Sequence, residues 1–83
     1  MTISVYCVRD QLIGYGIPIL RDNDAVASRS FAYDINEVPN SPYKANPEHY
    51  QLFKIGEFDT VSGIINSIDP VLIVNASDLI KKE

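Results

Sequence analysis

Residues 50–68 read YQLFKIGEFDTVSGIINSI, and this stretch decides the fold. Tyr50 to Phe58 has the aromatic and β-branched content of a strand broken by Gly56. Ile64 to Ile68 reads as a second strand after the polar connection Asp59-Thr60-Val61-Ser62-Gly63. Two such runs around a turn-forming segment predict a β-hairpin. The connection is longer than the two-residue minimum, so Gly63 is expected in the left-handed conformation of a bulged turn, with Asp59 capping the turn's backbone. Downstream, Asp69-Pro70 interrupts the pattern and Val71 to Val74 reads as a separate short strand. Ala76 to Lys82 predicts a last helical turn with Ser77 as its cap.

Upstream of the hairpin, Ile3 to Val8 alternates: Ile3, Val5 and Cys7 point one way and Ser4, Tyr6 and Val8 the other. Apolar side chains on both faces predict a central strand. Gly14, Gly16 and Pro18 make Gln11 to Ile17 a turn or loop, and leave Ile19-Leu20 as at most a short extended piece. From Ala25 to Val38, Ala27, Phe31, Ile35 and Val38 form one apolar stripe at helical spacing. Asn23 or Asp24 can cap this helix, and Pro39 ends it near Val38 by forcing its predecessor out of the helical region. The Pro- and Asn-rich residues 39–48 are expected to be an exposed connection without an element of their own.

Strand, helix, then short strands indicate an α+β fold: a small, mostly antiparallel sheet with one amphipathic helix packed on one face. Residues 1–83 form a single domain, near the lower size limit for one unaided hydrophobic core. Such a chain commonly completes its burial by self-association, so a homo-oligomer, in the simplest case a homodimer, is expected. An apolar second sheet face would mean dimerisation and a polar one a monomer.

Composition narrows the chemistry. The lone Cys7 excludes an internal disulfide framework and suits a reducing compartment. No apolar run nears the roughly 20 residues of a membrane span, and the N-terminus carries neither a basic region nor an apolar signal core. The expectation is therefore cytoplasmic residence without membrane contact. A net charge of −4 repels polyanions at long range, so any nucleic-acid contact needs a local basic patch.

Catalytic constellations are absent from the pattern. His49 is the only histidine and lies among prolines in a loop, and Cys7 sits inside an apolar strand, so no nucleophile–base pair is expected. One Cys and one His cannot complete a zinc site, and Asp22 and Asp24 lack the glycine and late glutamate of a calcium loop. Gly14-Tyr15-Gly16 has neither a third glycine nor a following Gly-Lys-Ser/Thr, so a turn explains it better than a phosphate cradle. No catalytic residue, metal or cofactor is expected.

Single-strand binding is the chemistry the residues do offer, because it needs aromatics for base stacking interleaved with cations for phosphates. Tyr43-Lys44 and Tyr50 with Lys54 supply such pairings, and Arg29 adds charge, as Arg9 and Arg21 at element ends can. Solvated or salt-bridged surface roles account equally for the cations, and Leu52 between Tyr50 and Lys54 reads as core.

Asn46-Pro47-Glu48-His49-Tyr50-Gln51-Leu52, followed by Ile55-Gly56-Glu57-Phe58-Asp59 and Gly63, resembles the small nonstructural proteins of gokushovirus-type microviruses. The Gly16-Ile17-Pro18 turn and Ala25 to Phe31, with Arg29 two residues before the aromatic, are similar to that family's N-terminal half. The resemblance implies a non-enzymatic bacteriophage product of the host cytoplasm, linked to DNA binding or to viral DNA replication by single-stranded genome synthesis. Two functions follow as expectations. One is single-stranded DNA binding through Arg29, Tyr43, Lys44, Tyr50 and Lys54. The other is an acidic homodimeric module that engages viral or host replication or assembly proteins.

Overall fold

The computed structural model describes residues 1–81. Strands β1 (Thr2–Asp10), β2 (Gly14–Tyr15) and β3 (Ile19–Arg21) precede helix α1 (Asp24–Asn36) and the single turn α2 (Pro42–Ala45). A 3₁₀ turn (Pro47–His49) leads into β4 (Tyr50–Asp59) and β5 (Ile65–Asn75), and a second 3₁₀ turn spans Ala76–Leu79. All strand pairings are antiparallel. The sheet runs β2-β1-β4-β5, with β3 sharing the edge of β1 used by β2. This is the predicted α+β architecture: a curled sheet with one long helix.

β1 is central, as its two-sided apolar pattern indicated. The hairpin β4–β5 also forms as expected, with Gly63 at φ 75° and Asp59 accepting the backbone N–H groups of Val61 and Ser62. These two N–H groups hold the Asp59 carboxyl below its ordinary pKa.

Several element boundaries differ from the sequence reading. β5 is one continuous strand through Asp69-Pro70. The ladder absorbs that interruption as a register break between the partners of Lys54 and Gly56, and a proline is tolerated at an irregularity in an edge strand. Helix α1 stops at Asn36, and Val38 is exposed; only Ala27, Phe31 and Ile35 form the buried stripe. Residues 39–48 are not structureless, because Pro42 and Pro47 each occupy a first-turn position where a missing N–H costs nothing. The terminal turn begins after Asn75, with no side-chain cap from Ser77, and Lys82 lies outside the described residues.

The core lies between α1 and one face of the sheet. Tyr6, Ala27, Phe31, Ile35, Leu52 and Ala76 are buried there. Asn23 caps α1 by accepting the Val26 N–H at 2.9 Å. At its other end, the Asn36 amide donates to the carbonyls of Ala32 and Leu79 and accepts the Lys81 N–H, tying the helix to the last turn of the chain. The molecule extends 44 × 24 × 18 Å, and the helix covers only one end of its long sheet.

Candidate nucleic-acid interface

Residues paired across a ladder share a face, so the register fixes what each side of the sheet presents. Tyr6, Val8 and Leu52 face α1. The opposite face carries three rows in succession: Ile3, Phe58 and Ile65; then Leu20, Val5 and Gly56; then Cys7, Phe53 and Leu72. Beyond them Arg9 pairs with Tyr15 and Gln51. No helix covers this side among the described residues.

At the Arg9 end the face becomes aromatic and cationic. The Tyr15 ring packs edge-on against Phe53, with centroids 5.6 Å apart, and the Arg9 guanidinium lies 5.6 Å from the Tyr15 centroid. Tyr15 remains 51% exposed. An exposed ring braced by a second aromatic, with a guanidinium beside it, offers a stacking surface and a phosphate donor together.

The five residues singled out from sequence do not form one surface. Tyr43 packs edge-to-face on Phe31 at 5.4 Å and on Tyr50 at 4.9 Å, so both tyrosines are half-buried extensions of the core. Burial, then the charge of Asp34 and contact with Tyr50, raise the Tyr43 hydroxyl's pKa. The two rings and Tyr15 together line a cavity of about 400 Å³ whose charged lining residues are Asp10 and Asp34, carboxylates that repel phosphate. Lys54 faces the helix side and pairs with Glu57 at 3.3 Å. β4 is an interior strand of the sheet. Arg29 and Lys44 are exposed, Arg29 on the side of α1 away from its buried stripe and Lys44 on α2.

Tyr15 and Phe53 were missed as a pair because nothing local links them. Tyr15 lies in a glycine-flanked turn, and only the β1–β2 ladder sets it beside Arg9. The alternation that placed Cys7 opposite Tyr6 was the one usable signal.

The remaining chemistry is sparse. Cys7 is fully buried, and burial raises its thiol pKa, which suppresses the thiolate. His49 sits 3.8 Å from Glu48 in the 3₁₀ turn before β4. Among the described residues no three His, Cys, Asp or Glu side chains gather as a metal site, and no helix is long and apolar enough to cross a membrane.

A family model described as Phage ORF5 protein matches residues 3–79, nearly the whole chain. No curated protein and no solved structure matches it.

Proposed function

We propose, given that the chain belongs to the Phage ORF5 protein family, that this bacteriophage accessory protein is a non-enzymatic binder of single-stranded DNA in viral genome synthesis. The observation that supports this reading is the Arg9–Tyr15–Phe53 cluster on the sheet face opposite α1. A base stacks on the exposed part of Tyr15 while Arg9 meets the adjacent phosphate. Arg29 and Lys44, on the helix side, lie away from this contact, and Tyr43, Tyr50 and Lys54 hold the structure behind it. The likeness of residues 46–63 to gokushovirus nonstructural proteins points the same way. Affinity is modest, because a chain of net charge −4 attracts a polyanion only locally.

Titration of a labelled oligothymidylate at low and moderate salt tests the reading. Tyr15→Ala is expected to weaken binding by roughly tenfold, within the range for one stacked base. Arg9→Ala should weaken it and flatten the salt dependence by about 0.7 in logarithmic slope, the value for one single-strand phosphate contact. Absence of binding at low salt sinks the proposal. Loss of binding on Lys44→Ala with Lys54→Ala, but not on Arg9→Ala, moves the strand to the helix side.

The apolar rows of the same face extend well beyond Arg9 and Tyr15, which favours a second reading as a protein interaction module in phage replication or assembly. Recovery of replication or assembly proteins from infected cells distinguishes the two: nuclease-resistant recovery supports the module and nuclease-sensitive recovery supports DNA.

A further inference from the structure

We infer that the end of the sheet farthest from Arg9 and Tyr15 is an interface for a second copy of this chain. There Ile3, Phe58 and Ile65 form an apolar row across three strands, flanked by the exposed Ile64, Ile68 and Val61. All of residues 60–72 are exposed, so this end of the hairpin lacks the cover that α1 gives the other end. The inference stands independently of the DNA reading.

Surface area supports an occupant of interface size. A monomer of 9.3 kDa is expected to expose about 5,000 Å², whereas this chain exposes 5465 Å². The surplus is several hundred Å², more than half of the ~800 Å² per partner that a standard stable interface covers. A deficit built into the chain's own fold is met most directly by another copy, which presents the same apolar row across a two-fold axis.

The contact is through the face and not the strand edge. β5 is the outer strand, but Asp69, Pro70 and the register break beside them blunt its edge, which are recognised devices against edge pairing. The face row has no charged member, and Asp59 and Asp69 lie outside it. Ile3 and Arg9 lie six steps apart on β1, about 20 Å along a strand, so a dimer at one end leaves the other end open.

Both protomers are acidic, so their mutual repulsion is relieved by salt. Dimerisation therefore strengthens with ionic strength, opposite to DNA binding.

Sedimentation equilibrium of the full chain over a concentration series, at about 50 mM and about 500 mM salt, tests this. The expected mass is twice 9.3 kDa, with the tighter dimer at high salt. Ile65→Asp, at a position already 66% exposed, should raise the dimer dissociation constant at least tenfold with an unchanged circular dichroism spectrum. Leu12→Asp, at a position 77% exposed and outside the row, serves as control. A monomer at every concentration overturns the inference, as does a dimer lost with Leu12→Asp but not with Ile65→Asp. A monomer that still binds oligothymidylate removes the dimer alone; a dimer that binds none removes the DNA reading alone.

Discussion

The hydroxyl of Tyr6, fully buried on β1, donates a 2.6 Å hydrogen bond to Oδ1 of Asp24 in the first turn of α1. One bond thus joins the central strand to the start of the helix that covers it. The Asp24 carboxylate also suits the positive end of the helix dipole. Tyr6→Phe keeps the ring and removes only this bond, so it should cost about 1–2 kcal/mol in urea denaturation. An unchanged unfolding midpoint would show that the bond contributes nothing net.

Stability should fall in alkali. Burial, reinforced by the hydrogen bond to Asp24, pushes the Tyr6 pKa up to about 12 from its ordinary 10. A group whose folded pKa is raised contributes stability that is fully present below its unfolded pKa and lost as pH rises through the folded one. Between pH 10 and 12 the protein should lose up to about 2–3 kcal/mol. Cys7 and Tyr43, both raised by burial, add losses of the same sign. Tyr6→Phe should flatten most of the alkaline decline; an equally steep decline in that variant assigns the effect elsewhere.

Gly56 is required by contact and not by backbone conformation. A Cβ at this position would lie 2.6 Å from the Asn66 carbonyl oxygen of the neighbouring strand, a backbone atom that cannot swing aside. Gly56→Ala should therefore spread β4 from β5 and destabilise by about 1–3 kcal/mol, the usual range for overpacking. Amide hydrogen exchange would report it as lost protection on β5 around Asn66 and Ser67. Protection equal to that of the parent protein would mean the ladder adjusts without strain.

Much of the fold was legible because its signals are local. Alternation over Ile3 to Val8 assigned β1 and both its faces; Asn23 was named as one of two caps for α1, and Gly63 and Asp59 as the turn of the hairpin. Local signals failed where a neighbour changed the outcome. Asp69-Pro70 reads as a strand end, yet β4 carries the ladder across it. Val38 fits the helical stripe but leaves it once Pro39 turns the chain. Tyr43 and Tyr50 look like surface aromatics beside lysines, and it is Phe31 on α1 that draws them inward.

The sequence by itself determined the central strand β1, the start and buried stripe of α1 and the turn of the hairpin, since periodicity, capping and turn chemistry are encoded within a few residues of each position. Tertiary structure alone decided which aromatics remain accessible. Strand pairing joins residues far apart in the chain, and it sets Tyr15 beside Arg9 and Phe53 while sending Tyr43 and Tyr50 toward the core. It also left one sheet face without a helix, because the one long helix packs on the other face, and at 13 residues, about 20 Å, that helix stops short of the molecule's 44 Å length.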